Sequence, residues 1–181
     1  MRGVLLGCCL ILVAVDSFAH RLDEYLQATR ISITTNRIDL TFELTPGVAI
    51  VTQVLELIDL DRDRSISDDE GNAYAGRFLK DLNIGLDGKV MSPNVTSVSF
   101  PAVKEMRNGT GVIRIRATSA VGPMDMGTHA LSLTNRHLPA ISVYLVNALR
   151  SKDAAVEIGK QTRDELQKDY RLEFRVRHGA P

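Results

Sequence analysis

Residues 30–44 read RISITTNRIDLTFEL, and apolar side chains alternate with polar ones through both halves of this stretch. Alternation with a period of two is typical of a strand that buries one face. A turn around Asn36 separates the halves, so the stretch predicts an antiparallel hairpin. The apolar residues expected on its buried face are Ile31, Ile33, Ile38, Leu40, Phe42 and Leu44.

Short alternating runs recur from residue 84 to residue 176, and turn signals separate them. Asp87-Gly88 and Asn108-Gly109 are dipeptides that favour two-residue hairpin turns. We expect the second turn to join strands near residues 95–100 and 113–117. Many short strands with turns between them predict a mainly β fold, an antiparallel β-sandwich.

A helical pattern interrupts the strands at about residues 46–82. Thr45 as a cap with Pro46 in the first turn predicts the start of one helix. Ser67 and Glu70 have the spacing of a capping box, which predicts the start of a second. We therefore expect a helix-loop-helix inserted into the sandwich. Its expected apolar residues are Val51, Val54, Leu55 and Ile58 in the first helix, followed by Tyr74, Phe78 and Leu82.

The loop between these helices, residues 59–70, reads DLDRDRSISDDE. Oxygen-bearing residues occupy the positions that bind calcium in an EF-hand, including a twelfth-position glutamate that offers both carboxylate oxygens. Six acidic residues against two arginines give the loop a net charge of −4, and hard oxygen ligands favour Ca²⁺ over a transition metal. The predicted ligands are Asp59, Asp61, Asp63, the backbone carbonyl of Ser65, Ser67 and Glu70.

Two residues depart from the EF-hand pattern. Arg64 stands at the sixth position, where the sharp turn favours glycine, and Gly71 follows the last ligand, where an apolar residue is usual. No second loop of this kind occurs in the sequence. We expect a single weak site. The alternative interpretation is a solvated acidic loop that binds no ion.

Residues 1–19 have the features of a secretory signal peptide: Arg2, an apolar run over residues 4–15, and small residues before Ala19. The apolar run is too short to span a membrane. Both cysteines, Cys8 and Cys9, belong to this segment, so residues 20–181 form one predicted domain without a disulfide. We expect export to the bacterial periplasm, or otherwise secretion.

Three further strings resemble the exported N-terminal domain of HupE/UreJ-type membrane proteins. They are HRLDEYLQAT at residues 20–29, LTPGVAI at residues 44–50 and NRHLPAISVYLVNAL at residues 135–149. That group is associated with nickel or cobalt handling through a following membrane domain. The resemblance makes an envelope or inner-membrane protein the candidate partner. Balanced charge gives no reason to expect nucleic acid as a partner.

A second metal site is an alternative. Cleavage after Ala19 would expose His20, whose α-amino group and imidazole could chelate copper or nickel together. His129, His137 or His178 would complete such a site, although all four histidines also have ordinary structural interpretations. No nucleophile elbow, zinc-protease helix or phosphate loop occurs. We therefore expect a calcium-binding or structural module and not an enzyme.

Overall fold

The computed structural model describes residues 22–178, and these fold into a sandwich of two five-stranded sheets. The predicted signal peptide and His20 lie outside the described residues. The strands of the first sheet are β1 (Tyr25–Thr34), β2 (Arg37–Pro46), β5 (Asn94–Ser99), β6 (Ile113–Ala120) and β8 (Ser142–Ala148). Their order across the sheet is β5-β6-β2-β1-β8.

The second sheet has the order β4-β3-β7-β10-β9, and each neighbouring pair is antiparallel. Its strands are β3 (Leu82–Leu86), β4 (Lys89–Met91), β7 (Gly127–Asn135), β9 (Val156–Arg163) and β10 (Asp169–Val176). The predicted mainly β fold and the sandwich are therefore confirmed.

The hairpin predicted from residues 30–44 is formed by β1 and β2. Ile31 lies opposite Leu40, and Ile33 lies opposite Ile38. All six residues expected on its inner face are buried. The predicted turn between β3 and β4 is also confirmed, because Asp87 and Gly88 both have positive φ, 51° and 78°, as a type I′ hairpin turn requires.

One pairing in the first sheet is parallel, which the alternating pattern did not predict. β1 pairs with β8 so that Tyr25 lies opposite Ser142 and Ile31 opposite Ala148. β1 thus lies between its hairpin partner, β2, and β8, a strand much later in the sequence. Alternation in a sequence indicates which face of a strand is buried, but it carries no information on the direction of the neighbour.

Three helices accompany the sheets: α1 (Val51–Glu56), α2 (Asp68–Lys80) and α3 (Val103–Arg107). The predicted start of α1 at Thr45 and Pro46 is wrong. Both residues belong to β2, where they lie opposite Leu26 and Tyr25 of β1. Continued strand pairing satisfies this backbone, so the helix begins after Ile50, which provides no side-chain cap.

The predicted hairpin at Asn108-Gly109 is also corrected. β5 and β6 do pair antiparallel, but α3 lies between them. Asn108 caps the end of this helix, and Gly109 follows with a φ of 71°. The Gly109 N–H bonds to the Met106 carbonyl at 2.9 Å. A glycine in this conformation just past a helix is a common way to end it.

The helices between β2 and β3 contribute to the same core as the sheets. All four apolar residues predicted for α1 and its exit are buried, as are Tyr74 and Phe78 of α2. The ring of Phe78 meets that of Phe42 on β2 edge to face, with centroids 4.9 Å apart. Such a pair stabilises by about 0.5–1.5 kcal/mol beyond the burial of its area. The acidic loop is therefore held between two elements that are anchored in the core.

Candidate metal site

Three of the predicted ligands come together in the loop between α1 and α2. Asp59, Asp61 and Asp63 each offer one carboxylate oxygen, and these oxygens all lie within 4.8 Å of one another. Within residues 22–178 this is the one group of three or more acidic, histidine or cysteine side chains with metal-binding spacing. Three carboxylates at this separation repel one another unless a cation or protons neutralise them.

Backbone N–H groups of the loop orient these carboxylates. The Asp63 N–H donates to Asp61 Oδ1 at 3.1 Å, and the Ser65 N–H donates to Asp63 Oδ1 at 2.7 Å. The Arg64 N–H donates to Asp59 Oδ2 at 3.1 Å. Aspartate side chains that bond the backbone two residues on are typical of tight turns. The alternating aspartates therefore stabilise the conformation of the loop in addition to giving it negative charge.

Asp59 differs from the other two aspartates in its surroundings. Its side chain is partly buried, whereas Asp61 and Asp63 are exposed. Its Oδ1 atom is inaccessible to solvent and has no hydrogen-bond partner among the described residues. A buried carboxylate oxygen without a partner costs free energy unless an ion or a donor satisfies it. This oxygen belongs to the first residue of the predicted calcium loop.

The backbone turns sharply at two arginines. Arg62 has a φ of 64° and Arg64 a φ of 71°. The left-handed conformation costs a residue with a Cβ atom about 1–2 kcal/mol. The sequence predicted this cost at Arg64, the sixth loop position. Ile66, at the eighth loop position, packs against the core.

Ser67 and Glu70 form the predicted capping box at the start of α2. The Ser67 N–H and Oγ–H donate to Glu70 Oε2 at 3.0 and 2.8 Å, and the Leu60 N–H donates to Glu70 Oε1 at 2.7 Å. Hydrogen bonds from the Ser67 backbone and side chain lower the pKa of Glu70. Glu70 is not one of the three clustered carboxylates. Its oxygens instead accept hydrogen bonds from Ser67 at the start of α2 and from Leu60 near the start of the loop.

A buried chain of hydrogen bonds escaped the sequence analysis. Tyr25 Oη lies 2.7 Å from Tyr74 Oη, which lies 3.0 Å from His137 Nε2. His137 Nδ1 in turn lies 2.7 Å from Asp81 Oδ2. Asp81 caps the end of α2. The helix that follows the acidic loop, α2, therefore forms hydrogen bonds to the sandwich from its middle, at Tyr74, and from its C-cap, at Asp81.

The carbonyl of His137 is the centre of a second set of bonds. It accepts from Gln27 Nε2 at 3.0 Å and from the hydroxyls of Ser142 and Tyr144, each at 3.1 Å. Asn135 Oδ1 accepts from the His137 N–H at 2.9 Å. Several polar residues of the string at residues 135–149 therefore have structural partners inside the protein.

Two of the histidines suggested for a copper or nickel site, His129 and His137, have partners inside the protein. Both ring nitrogens of His137 have partners, as just described. His129 Nδ1 lies 2.7 Å from Asp87 Oδ2, and its Nε2 lies 2.8 Å from the Asp125 carbonyl. His178 is exposed. His20 lies outside the described residues, so that alternative stays a prediction.

No protein-family model matches the chain, and no curated protein matches it. Among residues 22–178, no helix has the length and apolar character needed to cross a membrane.

Proposed function

We propose that the loop at residues 59–70 binds one Ca²⁺ ion and that the domain acts as a non-enzymatic binding or structural module. The observation that carries this proposal is the unpartnered Oδ1 of Asp59 beside the carboxylates of Asp61 and Asp63. A hard divalent cation would satisfy that oxygen and relieve the repulsion between the three side chains.

The remaining ligands are the Ser65 carbonyl, Ser67 and Glu70. For Glu70 to bind the ion through both oxygens, its carboxylate must give up bonds to Ser67 and to the Leu60 N–H. Calcium binding and helix capping therefore compete for one side chain. Together with the strain at Arg64, this competition favours a weak site, with a Kd on the order of 10⁻⁴ to 10⁻³ M.

Residues 1–19 support export, and weak sites of this kind suit compartments where Ca²⁺ is abundant. We propose that the ion stabilises the angle between α1 and α2. At a calcium concentration of about 100 Kd, binding to the folded state alone raises the free energy of unfolding by about 2.7 kcal/mol.

Titration calorimetry of the protein with Ca²⁺ and with Mg²⁺ tests the site. We expect heat that saturates in the millimolar range with Ca²⁺, and much weaker binding of the smaller, octahedral Mg²⁺ ion. In a parallel titration followed by nuclear magnetic resonance, the backbone amide signals of Leu60 and Ser67 should shift, because Glu70 releases these two N–H groups.

Isosteric variants separate ligation from charge. Asp59→Asn with Glu70→Gln replaces two predicted carboxylate ligands by neutral amides, which removes two charges and two-oxygen binding at Glu70, and it should abolish the calcium heat. Asp68→Asn with Asp69→Asn removes two charges from the exposed first turn of α2 and should retain binding. Equal calcium affinity in both double variants would show that the ligand assignment is wrong.

A further inference from the structure

Beside the acidic loop lies a cavity of about 310 Å³ that three arginines help to line. Arg62 and Arg64 belong to the loop itself, and Arg107 ends α3. Glu56 of α1 and Asp59 contribute carboxylates to the same lining. The cavity lining therefore has three cations against two anions, and it shares Asp59 with the three-carboxylate cluster.

None of the three guanidinium groups has a carboxylate within 4.0 Å among the described residues. Most other described arginines also lack such a partner, and the exceptions include Arg37, which pairs with Asp39. Arg30 and Arg114 both pair with Glu43, and Arg177 pairs with Glu157. Arg62, Arg64 and Arg107 are exposed, and what distinguishes them is that they line one cavity, where clustered positive charge attracts an external anion.

The backbone supplies a second, independent observation. Arg62 and Arg64 have φ values of 64° and 71°, where glycine or asparagine would be less strained. Long cationic side chains therefore occupy two positions whose backbone conformation disfavours them. Backbone strain of this kind concentrates at functional sites.

We propose that this cavity binds a small oxyanion of the phosphate-monoester class. The guanidinium group offers paired N–H donors that match the oxygens of phosphate. A volume near 300 Å³ is at the lower end of the range for small-molecule sites, which suits a phosphate with a short organic group.

Calcium should strengthen this binding, a coupling that rests on the proposed calcium site. Asp59 belongs both to the cavity lining and to the carboxylate cluster. A calcium ion bound to Asp59 would neutralise the charge of one of the two lining carboxylates, Glu56 and Asp59, that repel the anion. Because coupling between two sites is reciprocal, the oxyanion should raise the affinity for Ca²⁺ by the same factor.

Nuclear magnetic resonance titration with glycerol 2-phosphate, at constant ionic strength and with EDTA present, tests the cavity without calcium. We expect saturable shifts confined to the signals of Arg62, Arg64 and Arg107. Changing all three arginines to glutamine should weaken binding by about tenfold or more, the loss that a charge-assisted hydrogen bond accounts for. Arg171→Gln, at an exposed position of β10, is the matched control and should bind normally.

The outcomes are distinguishable from those of the calcium experiment. Absence of saturable shifts in the wild-type protein, or equal binding by the triple variant, overturns the oxyanion site. If the oxyanion binds in EDTA while Ca²⁺ gives no heat, the cavity is supported and the calcium site is wrong. If both bind but Ca²⁺ leaves the phosphate affinity unchanged, only the coupling is wrong.

Discussion

Tyr74 Oη lies 3.0 Å from His137 Nε2, and this contact joins the middle of α2 to the segment between β7 and β8. The Asp81 carboxylate accepts a hydrogen bond from His137 Nδ1–H. His137 Nε2 is then unprotonated and accepts a hydrogen bond from the Tyr74 hydroxyl. Tyr25 can then donate to the oxygen of Tyr74. In this chain of hydrogen bonds Tyr25 donates to Tyr74, Tyr74 donates to His137, and His137 donates to Asp81. The hydrogen bonds thus connect β1 to the middle of α2 and, through His137, to the C-cap of α2.

Removal of one hydroxyl should therefore affect both of its neighbours. Tyr74→Phe leaves Tyr25 Oη and His137 Nε2 buried without a partner, and we expect it to lower the free energy of unfolding by about 1–3 kcal/mol. Denaturant unfolding measures the change. A cycle with Tyr25→Phe should show coupling between the two sites. A loss below about 0.5 kcal/mol would match an ordinary surface change and contradict this role.

Acid should weaken the same network. Burial lowers the pKa of His137, with Arg77 acting in the same direction and the Asp81 carboxylate opposing both. The unfolded chain, with a histidine pKa of about 6.5, then binds the proton more readily than the folded protein. The His137 contribution is full above that pH and is lost as pH falls through the lower folded value.

Unfolding measured at a series of pH values should show this loss as a declining stability below about pH 6.5. His137→Gln should remove the His137 contribution to this decline of stability with falling pH, even if the variant is also less stable at neutral pH. If the ring of His137 titrates at or above the usual histidine pKa, the prediction is wrong.

His129 should respond to pH in the opposite sense. The hydrogen bond from its ring to Asp87 raises the pKa of His129 above the usual value. Its contribution to stability is full below the unfolded pKa and is lost as pH rises through the folded value. Asp87→Asn tests the cause, because asparagine tolerates the positive φ at this turn. The variant should return the pKa of His129, followed by magnetic resonance, toward its usual value; an unchanged pKa would assign the shift to another group.

Two glycines of α2 allow a matched comparison of local space. A Cβ atom on Gly71 would lie 2.9 Å from the ring of Phe100, whereas nothing lies within 4 Å of one on Gly76. Gly76→Ala should gain most of the helix propensity difference, about 1 kcal/mol. Gly71→Ala should gain less or lose stability, because the ring must move. Equal thermal stabilisation of both variants would show that the contact with Phe100 does not restrict position 71.

The strands were predictable from the sequence because their signal is local. Alternation placed Ile31, Phe42 and Leu133 in the core, and the Ser67–Glu70 spacing identified the start of α2. The start of α1 was not predictable in this way. The predicted cap, Thr45, also fits a strand, and pairing of β2 with β1 continues through Thr45 and Pro46, so the helix begins only after Ile50.

The clustered aspartates were predictable for the same local reason, since their spacing within one loop brings them together. The chain from Tyr25 to Asp81 was not. Its members come from three separate segments, β1, α2 with its cap, and the loop between β7 and β8, and each alone has the properties of an ordinary core tyrosine or loop residue. Gly71 similarly departs from the EF-hand pattern for a reason that only the neighbouring Phe100 reveals.

The parallel pairing of β1 with β8 has a consequence for how the molecule folds. β1 and β2 can pair as soon as both have been synthesised, but the other edge of β1 must wait for residues 142–148. Contacts so distant in sequence slow the search for the native state. Until that strand arrives, the open side of β1 offers unpaired backbone groups to any other extended chain nearby. Aggregation during folding should therefore begin at the N-terminal hairpin.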